Sequence, residues 1–183
     1  MSIPSVAEED EATVLERWRA EEAAVRARMT ESGVARREQV AGLTGLQVFQ
    51  AMLAGELPHA PIADTLDFAL VDASPGRAVF QGRPRFEHYN PLGGVHGGWF
   101  ATLLDSALGC AVHTTLPAGK LYTTAELKIN IVRPLSDKVP LVRAVGTVIH
   151  AGSRMATADG RLTGPDGRLY AHASTTCFIF DAP

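Results

Sequence analysis

The chain has 183 residues, a formal net charge of −3 and 46% hydrophobic residues, which is enough for one domain with a packed core. This balance is neither basic enough to indicate a nucleic-acid-binding protein nor acidic enough to indicate a disordered one. No apolar run approaches the roughly 20 residues of a membrane span, and the first residues, MSIPSVAEED, lack the basic and then apolar order of a signal peptide. We therefore expect a cytoplasmic protein with no nucleic-acid and no membrane partner.

The first third of the chain predicts helices. Residues 8–28 are rich in Glu, Ala and Arg and place their few apolar residues loosely on one face, which is typical of a solvent-exposed helix. The sequence TGLQ at residues 44–47 is a capping box that opens a second helix, and Gly55 is expected to end it. We interpret residues 1–60 as a helical extension, used for packing or as a lid, and residues 61–183 as the domain.

A hairpin and a long helix are predicted next. Residues 66–71 and 78–86 form two short strands on either side of a Ser-Pro-Gly turn. The glycine-rich sequence NPLGGVHGG at residues 90–98 cannot continue a regular element, whereas apolar residues recur at helical spacing from Trp99 onward. The long helix therefore begins at or just after His96.

Four further strands follow the helix, at about residues 122–133, 139–150, 155–162 and 169–180. Strict alternation in the first of them places Leu127 on one face and Thr124 on the other. These elements predict an α+β fold in which one long helix lies against an antiparallel sheet of about six strands.

The long helix carries a stripe of small and polar residues opposite its apolar face. Gly97 and Gly98 leave the first helical N–H groups unshielded at the positive end of the helix dipole, which suits a carbonyl oxygen or an anion. Further along, Asp105 is the only acidic residue between Glu87 and Glu126. A carboxylate among Leu, Ala and Ser is costly unless something holds it, so catalysis, the capping of a neighbouring turn or pairing with a cation such as the Arg133 guanidinium explains it.

The other potentially reactive side chains limit which kinds of catalysis the sequence supports. His96 can either fix the loop before the helix or transfer a proton. Ser106 and Cys110 are not set in a G-x-S-x-G elbow, so a covalent serine or cysteine mechanism is disfavoured. The glycines do not form a nucleotide-phosphate loop, and the six histidines lack zinc-ligand spacing. We expect no metal and no cofactor, and we expect Cys110 and Cys177 to remain thiols.

The ordered set of Asn90, His96-Gly97-Gly98 and Asp105, followed by TTAELKINIVRP, resembles the hot-dog-fold acyl-CoA thioesterases, in the branch typified by the phenylacetate-pathway enzyme. The resemblance spans about residues 62–180 and implies a sheet curled around the central helix. It implies that Asp105 is the general base or nucleophile and that Gly97 polarises the thioester carbonyl. Asn90 and His96 would position water or the thioester, with the Thr124 hydroxyl near the water.

The resemblance also implies the partners. Coenzyme A enters as part of an acyl-CoA substrate. Separately from the resemblance, Arg133, Arg143 and Arg154 lie near predicted strand ends, where an arginine is either a plain surface charge or a partner for the coenzyme A phosphates. Of these, Arg133 and Arg154, together with Gly98, are the candidates for phosphate binding. The expected assembly is a homodimer that associates further into a homotetramer. Each site would lie across the two-fold axis, with Asn90, His96 and Gly97 of one subunit facing Asp105 of the partner subunit.

Two other functions remain open for this fold. One is non-hydrolytic binding of acyl-CoA or a fatty-acyl group. The other is a dehydratase, which needs a histidine and a carboxylate poised for β-elimination and is disfavoured because Asp105 follows His96 in the thioesterase order. Arylacetyl, benzoyl-type and medium-chain acyl groups all fit the sequence, and either the helix residues Trp99, Phe100 and Leu103 or the N-terminal helices would line the acyl pocket.

Overall fold

The structure, a computed structural model, describes residues 10–182. Its helices are α1 (Glu11–Arg26), α2 (Arg37–Val40), α3 (Gly45–Ala54), α4 (Pro61–Leu66) and α5 (Gly97–His113). Its strands are β1 (Phe68–Ser74), β2 (Arg77–Gly82), β3 (Lys120–Ile131), β4 (Val142–Ala151), β5 (Met155–Thr163) and β6 (Leu169–Asp181). Glu8, the predicted start of the first helix, lies outside the described residues, as do nearly all the residues on which the signal-peptide argument rests.

All six strands form one antiparallel sheet in the order β1-β2-β4-β5-β6-β3. The apolar face of α5 packs on the inner face of this sheet and supplies the fully buried Leu103, Leu104 and Leu108. The helix and sheet lie so close that a Cβ on Gly146 of β4 would stand 2.2 Å from the Ala107 carbonyl oxygen. The predicted α+β hot-dog fold, with one long helix wrapped by a six-stranded sheet, is confirmed. Within residues 10–182 no helix has the length and apolar character to cross a membrane.

The predicted strand bounds before α5 are partly wrong. Residues 61–66 form the short helix α4, which Pro61 starts because its fixed φ suits a first helical turn. Asp67 then turns the chain with a left-handed φ of 47°, so that β1 begins only at Phe68. The second strand ends at Gly82, not at residue 86, since Pro84 has no N–H to donate to the sheet.

The strict alternation predicted for the strand after the helix is wrong at one residue. Thr124 pairs with Cys177 and Glu126 with Thr176, so that Ala125 is an extra residue in a β-bulge. Because of this bulge, Thr124 and Leu127 face the same side, toward α5, although simple alternation places them on opposite faces.

A buried polar network holds α1 against the sheet. Glu22 and Gln81 are both fully buried, and Gln81 Nε2 donates to the Glu22 carboxylate over 2.7 Å and to the Trp18 carbonyl oxygen over 3.0 Å. Arg83 pairs with Glu22 at 3.1 Å, and Arg143 Nε donates to Gln81 Oε1 over 2.7 Å. The sequence indicated a solvent-exposed helix and did not settle where it docks, whereas α1 buries Trp18, Glu22 and Val25 and is joined to β2 through Gln81 and to β4 through Arg143.

The predicted capping box of α3 is confirmed. The Gln47 N–H donates to Thr44 Oγ1, and Gln47 Oε1 accepts from the Thr44 N–H over 2.8 Å. Gly55 ends this helix in the left-handed conformation, as expected. At its other end, α3 is tied to the chain after α5, because the Gly45 N–H donates to the Leu116 carbonyl oxygen over 3.0 Å.

Candidate functional site

The start of α5 presents one open N–H group. His96 is the N-cap, and its Nδ1 accepts a hydrogen bond from the Gly98 N–H over 2.9 Å. The sequence predicted open N–H donors at both Gly97 and Gly98, but the Gly98 N–H is already bonded to the His96 ring. The Gly97 N–H has no acceptor among residues 10–182. Since Nδ1 accepts, the neutral His96 ring carries its proton on Nε2.

The loop before α5 fixes the side chain of Asn90. Asn90 Oδ1 accepts from the N–H of Leu92 over 2.9 Å and from that of Gly94 over 3.4 Å. The His96 N–H donates to the His88 carbonyl oxygen over 2.8 Å and closes the loop. With Oδ1 engaged by the backbone, the Asn90 amide N–H groups are the ones left to meet another molecule. The structure therefore brings Asn90, His96 and Gly97 together at one end of α5.

Asp105 forms a second cluster with β3. Thr124 Oγ1 donates to Asp105 Oδ1 over 2.9 Å, and the carboxylate is half-buried. Within the described part of the chain, no Arg or Lys side chain pairs with Asp105. Arg133, the cation considered as its partner, instead donates to the Leu169 carbonyl oxygen over 3.2 Å. The bulge at Ala125 is what turns the Thr124 hydroxyl toward this carboxylate.

A single chain keeps the two clusters apart. β3 runs opposite to α5, so that Ile131 lies against the helix start, with its Cδ1 3.4 Å from a Cβ built on Gly97. Farther along the helix, Tyr122 packs against Gly109, where a Cβ would stand 2.6 Å from the tyrosine hydroxyl. Asp105 lies between these two points, eight residues and roughly 12 Å of helix from Gly97.

The two arginines proposed for phosphate binding lie at opposite ends of the sheet. Arg133 follows β3 and reaches Leu169 at the start of β6. The carbonyl oxygen of Arg154 accepts from the Ile179 N–H, near the end of β6, over 3.0 Å. Ten residues of strand, roughly 33 Å, separate these two positions, so one chain does not bring both guanidinium groups to one ligand. Both side chains are exposed.

A cavity of about 230 Å³ opens beside Asp105. Asp105, Ser106, Cys110 and Tyr122 form its polar wall. The other walls come from the N-terminal helices and the β1–β2 hairpin, and are formed by Val25, Met29, Phe49, Met52, Leu53, His59, Ala60, Ile62, Ala63, Phe68, Ala69, Leu70 and Phe80. Of the two predicted linings, the N-terminal helices line this cavity, whereas Trp99, Phe100 and Leu103 are buried in the core.

Burial keeps the thiol of Cys110, one of the candidate nucleophiles, unreactive. Desolvation raises the pKa of the Cys110 thiol to about 12, so it stays protonated near neutral pH, in agreement with the argument against a covalent cysteine mechanism. Cys110 and Cys177 are both free thiols. Across residues 10–182, no group of three or more His, Cys, Asp or Glu side chains is arranged to hold a metal ion.

A larger concavity of about 750 Å³ lies on the outer face of the sheet, beside Lys128 and His172, and includes none of the predicted site residues.

The sequence and fold of this chain are similar to those of thioesterases. The thioesterase superfamily model matches residues 92–171. A putative esterase of Saccharolobus solfataricus is 33% identical over 115 residues, which cover 62% of this chain and 79% of the relative. Among solved structures, a putative thioesterase related to phenylacetic acid degradation from Ralstonia eutropha JMP134 is 29% identical, with a TM-score of 0.65, over 71% of this chain and 98% of its own. A mutant of the phenylacetic acid degradation protein PaaI from Thermus thermophilus is 28% identical, with a TM-score of 0.58, over 64% of this chain and 97% of its own.

Proposed function

Because this chain belongs to the thioesterase superfamily, as a thioester hydrolase of the PaaI-like branch, we propose that it hydrolyses an aryl- or medium-chain acyl-CoA to the free acid and coenzyme A. One observation carries this proposal. The Asp105 carboxylate is held by the Thr124 hydroxyl, has no cationic partner among the described residues and borders an apolar cavity. A carboxylate in such surroundings is poised to act on a bond beside an apolar group.

The proposed chemistry divides the work between the helix start and the carboxylate. The Gly97 N–H polarises the thioester carbonyl and stabilises the oxyanion that forms. Asp105 then takes a proton from water as the hydroxide attacks the carbonyl carbon, and the C–S bond breaks to release coenzyme A thiolate, which is protonated to the thiol. Alternatively, a carboxylate oxygen attacks the carbonyl carbon and expels the thiolate, and water hydrolyses the resulting anhydride. Thr124 holds Asp105 Oδ1 and leaves Oδ2 for either task.

A complete site in this proposal needs two copies of the chain. Gly97 and Asp105 are roughly 12 Å apart along one helix, whereas a held carbonyl and its attacking water must be about 3 Å apart. At the edge of the sheet, the 12-residue strand β3 pairs only with β6 among residues 10–182, and a long open edge is a template for a second strand. Two-fold antiparallel pairing there sets the Ile131 end of one β3 beside the Thr124 end of the other.

That pairing supports the proposed shared site. It brings Asn90, His96 and Gly97 of one subunit toward Asp105 of the partner subunit. It also brings Arg133 to the same end of the joint sheet as Arg154 of the partner subunit, where they and Gly98 would meet the coenzyme A phosphates.

We extend the proposal to a homotetramer. Several apolar side chains are exposed on the sheet, where Met155 and Phe178 are direct cross-strand partners, and such apolar exposure favours a further interface. These exposed side chains are Ile149, Met155, Phe178 and Phe180.

Three further parts of the proposal concern cofactors, location and domains. Coenzyme A is part of the substrate, and the proposed mechanism uses no metal or cofactor. Free Cys110 and Cys177 suit the reducing cytoplasm that we propose as the location. We also propose the division into a helical extension, residues 1–60, and a catalytic domain, residues 61–183.

A thiol-release assay tests the proposed function. The purified chain is incubated with acetyl-, hexanoyl-, octanoyl-, benzoyl- and phenylacetyl-CoA, and free thiol and free acid are both quantified. We expect equal amounts of thiol and acid from at least one aryl or medium-chain substrate. Saturable binding of acyl-CoA without thiol release would instead establish the non-hydrolytic binding protein.

A further inference from the structure

Thr175 is a polar residue on the buried face of β6. It is only 2% exposed, and its partner on β5 is the buried Ala158. Its neighbours on the same face of β6 carry apolar side chains or a thiol, and are Ala171, Ala173, Cys177 and Ile179. A hydroxyl in such surroundings costs free energy unless it is hydrogen-bonded. The bonding partner of this hydroxyl therefore indicates why a polar residue stands at this position.

The hydroxyl is bonded at the bulge of β3. Thr175 Oγ1 donates to the Glu126 carbonyl oxygen over 2.7 Å. Glu126 directly follows Ala125, the extra residue that shifts the pairing of β3 against β6 by one position. A bulge disrupts the regular ladder of backbone hydrogen bonds, so a side-chain bond from the facing strand stabilises the backbone there. Thr175 therefore contacts the segment whose conformation turns Thr124 toward α5.

Packing on both sides requires the bulge but does not orient its backbone. Tyr122 before the bulge and Leu127 after it both pack against the hydrophobic core, although they are five positions apart and regular alternation would place them on opposite faces. Within the bulge, Ala125 and Glu126 are exposed and lack this anchoring. The bond from Thr175 is the contact that fixes the backbone between the two packed residues.

Thr175 and Thr124 belong to one polar cluster with Asp105. Thr124 pairs with Cys177, which lies two residues after Thr175 on the same face of β6. Burial raises the pKa of the Cys177 thiol, which also interacts with the side chains of Thr175, Asp105 and Thr124. Thr124 Oγ1 in turn donates to Asp105 Oδ1 over 2.9 Å. A continuous set of contacts thus joins the bulge of β3 to the carboxylate.

We infer that Thr175 is a positioning residue for the reaction, because its hydroxyl fixes the bulge of β3 in the conformation from which Thr124 holds the Asp105 carboxylate. Thr175 acts through Thr124 and does not itself meet the reacting atoms. This inference rests on the proposed thioesterase function, in which Asp105 is the reacting group. It extends the machinery of the site from the helix and the edge strand to β6.

Thr175→Val tests this role, since valine keeps the branched shape and removes the hydroxyl. We expect kcat to fall about fivefold with little change in KM, and Thr175→Ser, which keeps a hydroxyl, to recover most of this loss. The matched control is Thr114→Val, which removes another buried hydroxyl, one bonded to the Ala111 carbonyl oxygen and the Gly76 N–H at the far end of α5. It should lower the urea midpoint but keep wild-type kcat. Wild-type kcat in folded Thr175→Val, or no recovery in Thr175→Ser, would overturn the inference.

A double-mutant cycle tests whether Thr175 acts through Thr124. Substitutions that disturb independent contacts multiply their effects on kcat, whereas substitutions in one set of contacts do not. Thr124→Val alone is expected to lower kcat roughly tenfold, so the double variant should also lose roughly tenfold and not about fiftyfold. A loss equal to the product of the two single losses would mean that Thr175 acts independently of Thr124, which contradicts the inference.

Failure of this inference can be distinguished from failure of the proposed function. If the wild type hydrolyses no acyl-CoA, the proposed function fails, and the bulge is then tested by amide hydrogen exchange of residues 124–127, measured by NMR. We expect exchange at least about tenfold faster in Thr175→Val, and close to the wild-type rate in Thr175→Ser and Thr114→Val. That result retains the role of Thr175 in ordering the bulge. Unchanged exchange in Thr175→Val, or equal acceleration in Thr114→Val, overturns it.

Discussion

The hydroxyl of Thr124 donates a 2.9 Å hydrogen bond to the carboxylate of Asp105. This contact joins the central helix to the edge strand of the sheet, and it exists because a bulge at Ala125 shifts the strand by one residue. It holds one carboxylate oxygen and leaves the other available. In the proposed mechanism, the edge strand therefore positions the reacting group of the helix.

Replacing the carboxylate should stop turnover without unfolding the chain. Asp105→Asn keeps the shape of the side chain and its bond to Thr124, but an amide can neither take a proton from water nor form an anhydride. We expect kcat to fall at least roughly a hundredfold, with an unchanged circular dichroism spectrum and thermal midpoint. Near-normal turnover by folded Asp105→Asn would refute the mechanism.

Removing the Thr124 hydroxyl should have a smaller effect. Thr124→Val keeps the branched shape but leaves the Asp105 carboxylate free to rotate, so we expect kcat to fall roughly tenfold with little change in KM. The matched control is Thr123→Val, because Thr123 is exposed on the other face of the same strand. If both variants retain wild-type kcat, Thr124 does not position the carboxylate.

His96→Ala should weaken binding and rate together, and less severely than Asp105→Asn. The ring caps the Gly98 N–H, so its removal frees the loop that presents the Gly97 donor and costs about 1 kcal/mol of unfolding free energy. Steady-state kinetics and urea denaturation measure the two effects. Complete loss of activity, with loss of a pH-profile limb near neutrality, would instead make His96 the proton-transfer group.

Mixing two inactive proteins should restore activity if the site is shared between subunits. Asp105→Ala chains and Asn90→Ala chains are unfolded together and refolded. About half of the dimers then combine both chains, and one of their two sites is intact, so about a quarter of wild-type activity should return. Each variant refolded alone is the control. A mixture that stays inactive while size-exclusion chromatography detects dimers would place the whole site within one chain.

The buried network under α1 should contribute measurably to stability. Glu22→Gln removes a charge that is fully buried and faces two arginines, Arg26 and Arg83. Because both arginines are partly exposed, we expect a loss of about 2 kcal/mol of unfolding free energy, below the usual cost of breaking a fully buried pair. Glu16→Gln, at an exposed residue of the same helix, should cost less than about 0.5 kcal/mol. Urea denaturation compares them, and equal midpoints would contradict the stabilising role.

The sequence by itself determined the features that rest on local signals. The capping box at Thr44, the hairpin around Ser74–Gly76 and the start of the long helix at His96–Gly97 each depend on residues within a few positions of one another. Periodicity gave the number of strands and the buried face of the helix. The stripe with Asp105, together with the resemblance it supports, indicated the thioesterase family before any geometry was known.

Only the tertiary structure decided the relationships between distant segments. The bulge that turns Thr124 toward Asp105 depends on the register of β3 against β6, which alternation along one strand does not encode. The occupied Gly98 donor depends on the rotamer of His96. The docking of α1 depends on the contact between Glu22 and Gln81, which are 59 positions apart, and the cavity beside Asp105 is lined by residues as far apart in sequence as Val25 and Tyr122. Such contacts form only when the whole chain is packed, because each residue's partner is chosen by the fold and not by its neighbours in sequence.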